Sequence, residues 1–206
     1  MHLKKLALIT YLAITTLAVN ALALTGFIYE SGPQGSYIAQ GDAMISPASG
    51  WDFQLGTRIY TDYELMSFSM RLTGTSRRWH IWLDMADGGE LVPGFYEATR
   101  APFNDTLGTA GFDWSGNGRG SNTSTSIFEI YEVEYAADSI AVSKIAFDFI
   151  QVEETWNTPF DELDLDTRRW SHGSYRLNSN IPFNVPEPTS GLLSMVGVGA
   201  LLLRRK

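Results

Sequence analysis

Between Leu24 and Val185 the chain has no long stretch of helical periodicity. Short segments rich in β-branched and aromatic residues are instead interrupted by Gly, Pro, Asn and Asp, at intervals of roughly eight to twelve residues. This is the pattern of an all-β domain. Ser36 to Ala39 opens one strand and Ala43-Met44-Ile45 another, stopped by Pro47. Asp52 to Leu55 and Glu64 to Leu72 follow. In Trp79 to Asp84 the side chains of Trp79, Ile81 and Leu83 fall on one face, and those of His80 and Trp82 on the other. Gly94 to Ala98 is the next strand, residues 104–122 are rich in turn formers, and Ile127 to Tyr135 resumes the pattern. Lys144 to Gln151 alternates most clearly, with Ile145, Phe147 and Phe149 pointing one way and Asp148 the other. Gly173 to Leu177 closes the series. Roughly eight or nine strands without crossover helices predict antiparallel pairing in a single β-sandwich, with a closed barrel as the alternative. The alternation breaks in Ile127 to Tyr135, where Phe128 and Ile130 share one face but Tyr131, Val133 and Tyr135 share the other. Either both faces are covered or a bulge near Glu132 switches the register.

The two ends follow different rules. Lys4 and Lys5 precede an uncharged stretch from Leu6 to Val19, and Ala21-Leu22-Ala23 supplies the small residues of a signal-peptidase site. A signal helix over residues 1–23, cut after Ala23, is expected. At the other end Val185-Pro186-Glu187-Pro188 is stiff and extended, because each proline sets its own φ and moves its predecessor out of the helical region. A helix can start only near Thr189 or Ser190. The apolar run Gly191 to Leu203 that follows spans about 20 Å, against about 30 Å of bilayer hydrocarbon. Snorkelling of Arg204, Arg205 and Lys206 brings it closer to spanning, and those charges favour the cytoplasmic side. The run carries no polar face at helical spacing, so it does not suit a globular surface helix.

This order of pieces resembles the PEP-CTERM sorting signal of Gram-negative bacteria. The resemblance covers about a tenth of the chain. It implies recognition by an exosortase-like membrane protease at Val185, Pro186, Glu187 and Pro188, with Arg204 and Arg205 as the stop. It therefore divides the chain into a signal peptide (1–23), a β domain (24–183) and a sorting signal with a hydrophobic helix (184–206). The expected route is export across the inner membrane, a membrane-tethered precursor, and delivery to the cell surface or extracellular matrix. Signal peptidase and the inner membrane are the other partners on that route.

Charge narrows the function of the body. The chain has 15 Lys and Arg against 23 Asp and Glu. Without the five basic and one acidic residues of the two ends, 10 against 22 remain, a net charge of −12. Nucleic acid is excluded as a partner, because phosphate contact needs Lys and Arg. The chain has no cysteine, and hence no disulfide, cysteine metal site or thiol nucleophile.

Four segments of the body, Gly35 to Gly41, Arg100 to Phe103, Trp114 to Asn122 and Phe147 to Gln151, resemble an uncharacterised bacterial extracellular β domain. On that resemblance two cysteines of the family fall at Ser121 and Glu153, so both are replaced together. The resemblance supports the fold class and implies no activity.

The candidate chemistry is sparse. Asp113, Ser115, Asn117 and Gly118 match the first half of a calcium loop, but Ser124 stands where the bidentate Glu belongs. A hairpin connection in which Gly116, Gly118 and Gly120 supply positive φ is the simpler reading. Asp161, Glu162, Asp164 and Asp166, interleaved with Leu163 and Leu165, read as solvated charge on a loop or edge strand. Arg119 is expected to pair with Glu132 or Asp148. His80 lies between Trp79 and Trp82 in a strand, and His172 in a turn. The chain shows no serine elbow, His-x-x-x-His pair or phosphate loop, so no catalytic, cofactor or metal residues are assigned and the chain is read as a non-enzyme. Trp51, Trp114, Trp156 and Trp170 lie in or beside predicted loops, where they would stack on sugar rings or fill the core. The expectation is an exported, non-enzymatic surface or matrix protein. A carbohydrate-binding module acting on extracellular polysaccharide is the alternative.

Overall fold

The structure is a computed structural model that describes residues 23–60, 63–86, 89–101, 109–137, 141–156 and 158–184. Ala21, Val185, Pro186, Glu187, Pro188, Arg204 and Arg205, with both expected terminal helices, lie outside the described residues. No helix among the described residues is long and apolar enough to cross a membrane.

The described chain is all-β. Ten strands follow in order: β1 (Leu24–Ser31), β2 (Ala43–Ile45), β3 (Trp51–Tyr60), β4 (Tyr63–Leu72), β5 (Arg78–Asp84), β6 (Gly94–Arg100), β7 (Ala110–Gly116), β8 (Ser124–Tyr135), β9 (Val142–Glu153) and β10 (Trp170–Ser179). They form one sheet in the order β2-β1-β10-β9-β8-β6-β7-β5-β4-β3. The sheet is mixed and not purely antiparallel. β6 and β7 run parallel through Ala98, Thr99 and Arg100 opposite Ala110, Gly111 and Phe112. Sequence pattern missed β1 and β7, the latter because Gly and Ser interrupt its apolar residues. It also placed a strand at Ser36 to Ala39, where the chain turns. The reason is local: Ser36 Oγ accepts from the amides of Ile38 and Ala39, which replaces a strand ladder with a turn.

The sheet is nearly closed, and its halves face each other over an aromatic layer. Phe27 and Tyr29 of β1 meet Trp114 of β7 and Trp79 of β5, with ring centroids 5.7 and 5.2 Å apart. Phe68 of β4 lies 5.5 Å from Phe147 of β9 and 5.1 Å from Tyr175 of β10. Such tilted and edge contacts suit the ring quadrupoles. Gln151 of β9 is fully buried and spans the same layer. Its amide accepts from the backbone N–H of Trp114 at 2.8 Å and donates to the Trp114 carbonyl at 3.0 Å. Gly173 is required by close approach, since a Cβ there would lie 2.3 Å from the Phe149 ring and 2.8 Å from that of Phe27.

Both alternatives for β8 are realised in different places. Its register shifts between Ile130 and Glu132, so the bulge turns Val133 and Tyr135 back to the core that holds Phe128 and Ile130. Nearer its start, Ile127 packs outside the sheet with Ile150, Val152, Phe160 and Trp170. Leu163 and Leu165 cover this outer cluster from the 3-10 turn Phe160–Glu162 and the loop after it, while Asp161, Glu162, Asp164 and Asp166 face solvent.

Another part of the outer face, around β10 and Gly26 of β1, is covered by the end of the described chain. Asp148 and Arg176 are fully buried there and paired at 2.9 Å. Asp148 also accepts from Ser174 Oγ at 2.6 Å and from the hydroxyl of Tyr131, the bulged residue, at 2.9 Å. Arg176 donates to the carbonyls of Phe147, Tyr175, Ile181 and Pro182, and its guanidinium lies 5.7 Å from the Phe183 ring. Phe183 in turn covers Gly26, where a Cβ would lie 2.9 Å from its ring.

Two outcomes follow. Arg176→Met leaves the Asp148 carboxylate buried without its cation, and should cost about 3–5 kcal/mol in urea unfolding. Gly173→Ala forces a methyl against two packed rings, and should cost about 1–3 kcal/mol in the same measurement.

Candidate functional site

A concavity lies at one end of the sheet, among the β1–β2 loop, the β4–β5 turn and the β7–β8 connection. It is a cleft of about 740 Å³ whose lining includes Tyr29, Gln40, Asp42, Arg77, Arg78, Trp79 and Arg119.

Local rules build each wall. β7 and β8 are linked through a tight turn at Asn117-Gly118, with φ of 51° and 77°. Two successive positive φ values are the requirement of a type I′ hairpin turn, which Asn-Gly meets with little strain. Gly116 and Arg119 close it with reciprocal backbone bonds of 2.8 and 2.9 Å. Of the three glycines expected to supply positive φ, only Gly118 does so. Gly116 is needed for close approach, because a Cβ would lie 2.3 Å from the Trp79 ring. Asn117 stitches the hairpin to β5: its N–H donates to the Arg78 carbonyl and its Oδ1 accepts from the Arg78 N–H, at 2.9 and 3.1 Å.

The opposite wall is the 36–42 turn, held from below by Glu153. That buried carboxylate accepts from Ser36 Oγ at 2.5 Å and from the amides of Tyr37 and Ile38 at 3.0 and 3.3 Å. The turn thereby presents the Ile38 carbonyl and the Gln40 side chain to Arg119, whose Nε and Nη1 donate to them at 3.0 Å each. The guanidinium lies over the Trp79 ring at 5.5 Å, a cation–π contact. The expected partners of Arg119 are engaged elsewhere: Glu132 with Lys144 at 2.7 Å, and Asp148 with Arg176. The Tyr29 hydroxyl is pushed above the ordinary tyrosine range by burial, and the charges of Arg119 and Arg77 partly offset that push. Tyr29, Arg77 and Arg119 all line the cleft. Asp42 supplies the opposing charge, its Oδ1 accepting from the Ser31 N–H at 3.3 Å.

The other sequence candidates are dispersed. Asp113 is not a loop ligand; it sits in β7 beside Arg100 at 3.3 Å, and burial pushes its carboxyl up to about 6 despite that cation. No group of three or more His, Asp or Glu side chains that could hold a metal ion is present among the described residues. Trp114 and Trp170 are buried and Trp51 packs on the core, which removes them as a sugar platform. Trp156 alone stands out, 78% exposed on a backbone of positive φ. At the positions where the resemblance places cysteines, Ser121 Oγ accepts from the Glu154 N–H at 3.0 Å and Glu153 holds the 36–38 turn. His80 Nδ1 lies 2.8 Å from Ser69 Oγ. Ala23 is exposed, directly before β1. Sequence reading did not single out Tyr29, Gln40, Asp42, Arg77 or Arg78. An Arg-Arg-Trp run in an acidic body was the available signal.

His172 lies in β10 and not in a turn, and burial lowers its pKa to about 4. It is neutral at pH 7, so its 3.7 Å approach to Glu30 is not an ion pair there. A histidine that resists protonation when folded takes up its proton more readily when unfolded. Its contribution to stability is therefore complete above the ordinary value of 6.5 and is lost as pH falls toward 4. Asp113 acts in the opposite sense, stabilising at low pH and losing that contribution as pH rises through about 6. His172→Gln removes only the first effect. Denaturation of both proteins between pH 7 and 4 should show the parent losing stability relative to the variant as pH falls.

No family model, no curated protein and no solved structure matches the chain.

Proposed function

We propose that the chain is an exported, non-enzymatic protein of the cell surface or extracellular matrix, sorted by its C-terminal segment. The observation that carries this reading is the ordered tail: Val185-Pro186-Glu187-Pro188, the apolar run Gly191 to Leu203, then Arg204-Arg205-Lys206. Two features of the body support it. The core is assembled within residues 24–184, and the last described residue, Asn184, still donates its N–H to Ser174 Oγ at 3.4 Å. The last described strand, β10, ends at Ser179, so a cut at the tail spares every described strand. At the other end β1 begins at Leu24, one residue beyond the Ala21-Leu22-Ala23 site, so cleavage after Ala23 leaves the first strand whole. An exosortase-like protease, signal peptidase and the inner membrane are the partners on this route.

A second reading, that the body grips saccharide, is favoured by the cleft beside Trp79 and Arg119. Its side chains are guanidinium, amide and hydroxyl groups, a set suited to holding a hydroxylated ligand.

Deletion from Val185 onward should move the protein out of the membrane fraction in cell fractionation. Intact mass of the parent should show loss of residues 1–23 and cleavage near Pro186. An unchanged distribution together with an unprocessed C-terminus would overturn the sorting proposal.

A further inference from the structure

Arginine is unevenly placed in this molecule. The body between the two end segments holds only ten Lys and Arg, and three of them, Arg77, Arg78 and Arg119, line this cleft, while Arg168 and Arg169 line a smaller one beside Glu153 and Glu154. Arg119 is fixed in position by the Ile38 carbonyl, the Gln40 amide and the Trp79 ring, and none of these neutralises its charge. Arg77 lines the same cleft and adds a second positive charge, and the Arg78 backbone is locked to Asn117 on both its N–H and its carbonyl. The fixed Arg119 guanidinium, with the Arg77 side chain on the same cleft, favours a planar anion that accepts two parallel hydrogen bonds, which a carboxylate does. Asp42 stands on its wall, and the surrounding body is strongly acidic, so charge alone does not draw an anion in and hydroxyl contacts must add to the carboxylate contact. With their oxygens engaged by Arg119 and the Arg78 N–H, Gln40 and Asn117 offer amide N–H donors and Asp42 an acceptor, as hydroxyl-bearing ligands require.

From this placement we infer that the cleft is a binding site for a carboxylated saccharide, a uronic-acid unit whose carboxylate meets Arg77 and Arg119 while its hydroxyls meet Gln40, Asp42 and Asn117. The inference rests on the second reading above and names its site and ligand class. A cleft of about 740 Å³ lies within the roughly 300–1,000 Å³ range of small-molecule sites, and accommodates a short oligosaccharide segment.

Calorimetric titration of the full chain with trigalacturonate, neutral maltotriose and inorganic phosphate tests it. Trigalacturonate should bind at least about tenfold more tightly than either of the others. Arg77→Gln removes a side chain that holds no other element in place among the described residues. It should weaken trigalacturonate about tenfold with an unchanged melting temperature. If that variant melts early, Arg78→Gln should show a loss of the same sign. Equal binding of phosphate and trigalacturonate would overturn the uronate assignment. Equal binding of both sugars, unaffected by Arg77→Gln, would overturn the cleft while leaving saccharide recognition standing. Binding of neither sugar would remove both readings.

Discussion

Two halves of one sheet must bury a common aromatic layer, with no disulfide, and the described structure depends on that constraint. Phe27, Phe68, Trp79, Trp114, Phe147, Phe149 and Tyr175 are each buried and drawn from six different strands. Bulky rings at this density leave no room for extra atoms, so Gly116 and Gly173 are dictated by the rings beside them. The parallel β6–β7 ladder joining the halves is only three residue pairs long. Ring packing and the Gln151 bridge to Trp114 therefore carry much of the cohesion between them.

Polar groups sit where that apolar layer ends. On the outer face Asp148 and Arg176 satisfy each other and the local carbonyls, and Arg176 holds the 181–183 segment on the sheet. A buried pair of this kind contributes position more than energy, since desolvation of both charges offsets their attraction. At the cleft end the same logic runs in the other direction. Glu153 spends its carboxylate on the 36–38 turn, and that turn orients Arg119 with carbonyl and amide acceptors, leaving its charge available to a ligand. The two arginines thus differ: Arg176 is neutralised by Asp148, and Arg119 has no ion-pair partner among the described residues.

The body and the tail divide the functional argument. The proposed delivery rests on the ends, where proline stiffness, an apolar run and a basic stop form a linear pattern. The proposed ligand recognition rests on the cleft, whose residues come from positions 29, 40, 42, 77, 78, 79 and 119.

The sequence by itself determined the all-β class, the inward faces of β5 and β9, the solvated acidic loop at 161–166 and the absence of any disulfide. These depend on local alternation, turn residues and composition, which act over a few positions at a time. Only the tertiary structure decided that β6 and β7 run parallel, that the bulge in β8 falls at Tyr131, and that Arg119 faces Trp79 and not Glu132 or Asp148. Each of these depends on which distant strand arrives alongside. Ile38 and Arg119 are 81 positions apart, and their contact exists because Glu153 pins the turn that brings them together. Periodicity along a chain has no access to such pairings; they are selected by the packing of the whole sheet.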